Sequence, residues 1–163
     1  MFLLLPKNRA DYYRCDRTKN ISVNKLAYKI LDDKSLIIES YIGGFNVDEL
    51  IEFKKKVGND KNYNPNFNVI HDIRKLEFLL DLEEISKYIS LISENKKLLG
   101  NRKSVFITET PKQVVTTSVF DLMKKKLPIK VKVCSTFETA FNFIDLPKND
   151  WEYLETSINS IKV

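Results

Sequence analysis

His71, Asp72 and Arg74 lie in one short stretch, and their types come closest to a reactive set in this chain. His71 is the only histidine, and no cysteine or second histidine stands at metal-ligand spacing to it, so a zinc site is not expected. It reads as a hydrogen-bonded histidine at a strand end. Asp72 and Arg74 are two apart on a strand, share a face, and can pair with each other or with a polar ligand. Thr108-Glu109-Thr110 would place an acid between two hydroxyls, but Thr110 heads a helix and is accounted for as its cap. Cys134 follows Lys130 and Lys132, whose charge would favour a thiolate, yet no histidine neighbours it in sequence. With only four glycines there is no dinucleotide fingerprint, no phosphate loop ending in Lys-Ser/Thr and no nucleophile elbow. These residues predict a non-enzymatic protein with no cofactor and no metal.

The elements that must hold these residues announce themselves through four helix starts: Asn46-Val-Asp-Glu49, Asp81-Leu-Glu-Glu84, Thr110-Pro-Lys-Gln113 and Ser135-Thr-Phe-Glu138. In each, a short polar residue can accept from the free N–H groups of the first turn while a Glu or Gln three positions on reaches back. Each follows an apolar, β-branched run, so the pattern is one of repeated βα units. Leu26–Leu31 and Leu36–Ile42 read as a hairpin around Asp32-Asp-Lys-Ser35, after which Gly43-Gly44 turns the chain into a helix over 47–57 that buries Val47, Leu50, Ile51 and Val57. Phe67–Ile73 is apolar on both faces, as in a central strand. A helix over 82–98 with Leu82, Ile85, Ile89 and Ile92 as its stripe runs to Gly100, and the apolar run 76–80 would add a short edge strand. A strand at 103–108 leads to a helix over 111–125 burying Val115, Val119, Leu122 and Met123. A last strand at 129–134 precedes two helices, one carrying Phe137, Ala140, Phe141 and Ile144, the other, opened by Pro147, carrying Trp151, Leu154, Ile158 and Ile161. The order ββαβαβαβαα implies an α/β fold, a mixed, mainly parallel sheet with packed helices. Its functional rim, where strands end and helices begin, would comprise His71, Asp72, Arg74, Asp81, Thr108, Glu109, Thr110, Cys134 and Ser135.

Composition narrows the partners. A chain of 163 residues can bury roughly 70% of its unfolded surface without staples. Its two cysteines, Cys15 and Cys134, form no C-x-x-C pair, which favours a reduced, cytoplasmic setting. Met1-Phe-Leu-Leu-Leu-Pro6 is too short for a signal core, and no stretch approaches the ~20 apolar residues of a membrane span. Of the formal charge of +5, residues 1–25 hold most, with six basic side chains against Asp11 and Asp16. They are expected to form a basic tail ahead of a single domain over 26–163. Lys54-Lys-Lys56 and Lys124-Lys-Lys126 fall at helix C-termini, where they complement the dipole on solvated faces, so nucleic acid is not the favoured partner.

The run Asn68-Val-Ile-His-Asp-Ile-Arg74, the capped helix at Asp81, the Val105-Phe-Ile-Thr108 strand and the closing stretch from Val131 to Ile144 together resemble the bacterial STAS-like group. These are small proteins with the SpoIIAA-like fold of the anti-sigma-factor antagonists, and the resemblance covers roughly residues 26–145. It implies the fold and a regulatory role exerted through protein partners. Antagonists of that family carry a phosphorylatable serine at the start of the helix after the central strand. Residues 73–85 contain no serine or threonine; Asp81 stands in the family's Asp position, and Leu82 and Glu83 occupy the place of the acceptor. The kinase cycle therefore does not carry over, except as far as Glu83 imitates a permanently phosphorylated residue.

Two functions follow as expectations. The first is a non-catalytic binding or regulatory module of bacterial cytoplasm that docks a protein partner through helix two and its rim: Asp72, Arg74, Asp81, Glu83 and Glu84. The alternative is a carrier or sensor of a small apolar ligand or lipid, held where Phe78, Leu79 and Leu80 leave the central strand. Neither requires membrane insertion.

Overall fold

The computed structural model describes residues 24–78, 80–125 and 127–161, without the side chain of Phe78. Of the basic tail expected over 1–25, only Asn24 and Lys25 are described. Five strands form one sheet in chain order: β1 (Lys25–Leu31), β2 (Leu36–Phe45), β3 (Asn68–Phe78), β4 (Arg102–Ile107) and β5 (Ile129–Cys134). β1 and β2 are an antiparallel hairpin and every other pair is parallel. Helices α1 (Val47–Gly58), α2 (Leu82–Glu94) and α3 (Pro111–Met123) make the three crossovers. Each crossover steps one strand the same way, so the right-handed rule places all three helices on one face of the sheet. α4 (Phe137–Phe143) and α5 (Trp151–Ser160) follow β5 and cover the other face.

Strand alternation divides the core accordingly. Leu36, Ile38, Ile70, Val105 and Ile107 point toward α4 and α5 and meet Ala140, Phe141, Ile144, Leu154 and Ile158. Ile37, Tyr41, Val69, Ile73 and Leu76 point the other way, against Leu50, Phe53 and Val57 of α1. A further cluster of Ile92, Leu98, Leu127 and Ile129 seals α2 over the β5 side.

Three of the four expected helix starts carry full capping boxes, with Asn46, Asp81 and Thr110 each accepting from the third helical N–H and Glu49, Glu84 and Gln113 reaching back. At the fourth the cap is Thr136 rather than Ser135; its hydroxyl accepts from Thr139 N–H and donates to the Thr139 hydroxyl, and Glu138 plays no part. Gly43 and Gly44 do not turn the chain into α1 but continue β2. Gly43 has φ +96°, and a Cβ there would overlap the Asn24 side chain, which bonds both the N–H and the C=O of Gly44. The run 76–80 is no separate edge strand: β3 continues through Phe78, paired with β2 alone once β4 stops opposite Asp72. α2 ends at Glu94, and Leu82 is 65% exposed rather than part of its stripe.

That overhang of β3 explains the largest departure from expectation. α3 turns Gln113 and Thr117 inward and leaves Val115 and Leu122 63% and 67% exposed, with Met123 also at the surface. Beyond Asp72, the β3 carbonyls facing away from β2 have no strand to bond. Gln113 Nε2 donates to the carbonyls of Arg74 at 3.1 Å and Leu76 at 3.0 Å, while its Oε1 accepts from the N–H groups of Glu109 and Thr110. One buried amide thus replaces a missing strand, and the need to satisfy those carbonyls outweighs the apolar count of the helix. Gln113→Ala should therefore destabilise by about 2–4 kcal/mol, since it orphans several buried groups, whereas Thr110→Ala should cost about 1 kcal/mol. Urea unfolding of both variants checks the order; an equal loss would mean that solvent reaches these carbonyls.

Candidate functional site

Face alternation on β2 puts Glu39 between Ile37 and Tyr41 on the side of α1–α3, where it is completely buried. The parallel register sets His71 of β3 directly opposite it, and Phe106 of β4 opposite His71. Lys54 belongs to the inward stripe of α1, with Leu50, Ile51 and Val57, and its ammonium reaches down onto the sheet. There it donates to both carboxylate oxygens of Glu39, to Oε2 at 2.6 Å. Tyr41 hydroxyl donates to the same Oε2 at 2.5 Å, and His71 Nδ1 lies 2.8 Å from it. The His71 ring stacks on Phe106 with centroids 4.4 Å apart, which fixes its plane.

Burial by itself would raise the carboxyl of Glu39, but the charges and hydrogen bonds of Lys54 and His71 more than offset it and hold the group below the usual carboxylate range. Burial lowers His71 to about 4 although Glu39 opposes the shift. The imidazole is therefore neutral near pH 7, donating from Nδ1 to Glu39 and keeping Nε2 as an acceptor.

Lys54, Tyr41 and His71 form one wall of a cavity of about 80 Å³ between the sheet and α1–α3. Most of the remaining lining is apolar, including Leu50, Ile73, Leu76, Leu80, Ile85 and Phe120, with Tyr88 and Arg102 as further polar groups. Ser104 and Thr116 also reach the cavity, but the hydrogen bonds of His71 go to Glu39 and Tyr41, and neither hydroxyl is bonded to the ring. The arrangement can orient a small guest by hydrogen bonds in a largely dry, apolar space. Among the described residues no cluster of His, Cys, Asp and Glu could hold a metal ion.

The residues expected to form one docking rim are separated by the sheet. Asp72 and Arg74 lie on the α4–α5 side, where the guanidinium forks onto Asp72 with two bonds of 2.8 Å, reaches Asn159 at 2.9 Å and lies over the Phe137 ring. They border a polar cleft of about 520 Å³ with Lys75 and Glu109. Asp81 and Glu84 are engaged in the α2 capping box on the opposite side, and Glu83 is exposed on α2. Of the apolar trio, Leu80 lines the cavity, while Leu79 and the side chain of Phe78 lie outside the described residues. His71 is not a strand-end residue but part of the buried row. Cys134 is half-buried and burial raises its thiol pKa, outweighing the Thr136 backbone and Lys132, so the lysines do not activate it.

Glu39, Lys54 and Tyr41 were not singled out by their types, although position gives them away. Glu39 is the one charge inside the apolar run 36–42, and Lys54 follows Leu50 by four and precedes Val57 by three, the spacing of a buried stripe rather than of a solvated face.

No family model and no curated protein matches the chain. A solved structure does: an uncharacterised protein of the DUF3478 family with a SpoIIAA-like fold, from Shewanella loihica PV-4. The two share 14% identity with a TM-score of 0.52 over 78% of this chain and 98% of the other. At that identity the likeness concerns the fold alone, and the fold of this chain is SpoIIAA-like, as its sequence motifs implied.

Two measurements test the buried cluster. Because the pKa of folded His71 lies below the unfolded value of 6.5, its neutral burial stabilises fully above about pH 6.5 and progressively less as pH falls toward 4. Unfolding free energy should drop by about 2 kcal/mol from pH 7 to pH 5, and His71→Gln should flatten that slope; equal wild-type stability at the two pH values would contradict the buried neutral ring. Glu39→Gln strands the Lys54 ammonium and should cost about 3–5 kcal/mol, much of it recovered when Lys54→Met is added. A double variant no more stable than the single one would show that the two do not act as a pair.

Proposed function

We propose that this protein is a non-catalytic binding module that takes a small, largely apolar molecule into the cavity between the sheet and α1–α3, as a carrier or sensor of that molecule. The observation that carries this reading is the pairing of an apolar cavity with a fixed polar wall of Lys54, Tyr41 and His71, the usual constitution of a small-molecule site. Leu80, just past the end of β3, belongs to the lining, so a guest would touch the segment between β3 and α2 and could change how α2 presents itself. Docking of a protein through the α2 rim has less support, because four of its five charged residues are engaged within the chain and they divide between two faces. No helix among the described residues is long and apolar enough to cross a membrane.

Titration with 1-propanol as a neutral probe, followed by methyl NMR, should give saturable shifts confined to cavity residues such as Ile73, Ile85 and Ile92. Leu80→Asp, which sets a carboxylate in the lining, should weaken binding at least tenfold, whereas the exposed Glu83→Lys should leave it within twofold and change stability by less than ~0.5 kcal/mol. Shifts that never saturate, or that spread over the surface, would rule the cavity out as a site.

A further inference from the structure

Arg102 opens β4 opposite Ile129, is only 6% exposed, and lines the same cavity. All of its side-chain hydrogen bonds leave from one nitrogen: Nη1 donates to Tyr63 hydroxyl at 3.1 Å and to the carbonyls of Pro65 at 3.0 Å and Leu98 at 3.4 Å. These partners are neutral. Nε is buried and has no partner, the sole buried side-chain nitrogen or oxygen in that condition among the described residues. The charges around the cavity do not balance either. Glu39 is taken up by Lys54, His71 is neutral, and Arg102 has no carboxylate in bonding contact among the described residues. A buried guanidinium with an idle N–H is costly unless an anion meets it, and this one lines a space that is otherwise mostly apolar.

We propose that the guest of the cavity is a short-chain aliphatic monocarboxylate whose oxygen accepts from Arg102 Nε while its alkyl chain lies along the apolar lining. This rests on the reading of the cavity as a small-molecule site and adds the charge and size of the occupant. A carboxylate supplies the missing acceptor and the missing negative charge together. Inorganic phosphate or sulfate would leave the apolar walls facing a doubly charged ion, and an amine would add a second unmatched cation. Size agrees: a cavity of about 150 Å³ accommodates benzene, so about 80 Å³ suits an acid of about three carbons. Tyr88, which shares the lining and makes no hydrogen bond among the described residues through its hydroxyl, is a second available donor.

Propionate and 1-propanol, matched in chain length and different in charge, separate the two levels of the proposal. At pH 7 propionate should bind the wild-type chain at least tenfold more tightly than 1-propanol, and the Arg102 Nε–H resonance should move to saturation with propionate and stay in place with 1-propanol. Arg102→Lys keeps a cation but removes the planar donor, and should cut the preference to threefold or less; Arg102→Met should abolish it while 1-propanol still binds. If the substitutions prevent folding, the wild-type preference and the Nε–H shift decide the question. Equal affinities with an unmoved Nε–H, or propionate shifts confined to surface lysines, would overturn the carboxylate while leaving the cavity reading intact. Binding of neither probe would remove both.

Discussion

A carboxylate with no access to water has to find its partners inside the protein, and Glu39 sets that condition for most of the sheet's helical face. Its oxygens accept from a residue of α1, from its strand neighbour Tyr41 and from the opposed residue of β3, so three elements must be in place before the charge is satisfied. Apolar packing tolerates sliding by a fraction of an ångström, whereas hydrogen bonds of 2.5–2.8 Å to one oxygen do not. The pair with Lys54 need not add stability relative to two well-packed apolar side chains. What it adds is register: a one-residue slip of β2 would turn Glu39 toward the apolar cluster of Ile38, Ile70 and Val105 and away from Lys54 and His71.

The same condition accounts for the cavity. Polar groups that must meet at fixed angles leave less freedom to fill space than aliphatic chains do, and the room between the sheet and the three crossover helices is a place where packing gives way to geometry. Arg102 stands at the other end of this compromise, held on one nitrogen by Tyr63 and two carbonyls and idle on another. A guest that completes its bonding would also complete the packing.

How far the sequence could be read depended on whether the interactions were local. The caps at Asn46, Asp81 and Thr110 were legible because both halves of each reciprocal bond lie within four residues. The strand and helix order, and with it the SpoIIAA-like fold, followed from those caps and from the apolar runs between them. The faces of α3 were not legible, because the carbonyls that draw Gln113 inward belong to β3, almost forty residues away in sequence. The partners of His71 were missed for a similar reason: Glu39 and Lys54 approach it only through strand register and a helix crossover. Asp72 and Arg74 did pair, as two residues on one strand face can, but nothing in their spacing told which face of the sheet they would occupy.

Winding the crossovers in one direction has a consequence for biosynthesis. Since the strands lie in the sheet in chain order, each new strand docks beside the one made just before it, and no gap has to be held open for a later segment. α1, α2 and α3 arrive between the strands and shield their face as it grows. Among the described residues the other face is covered only by α4 and α5, which emerge last, so Ile38, Ile70, Val105 and Ile107 form a lengthening apolar strip as the sheet is made. A ribosome that stalls after β5 would release a nearly complete sheet with one sticky side, the kind of surface that chaperones bind and proteases clear.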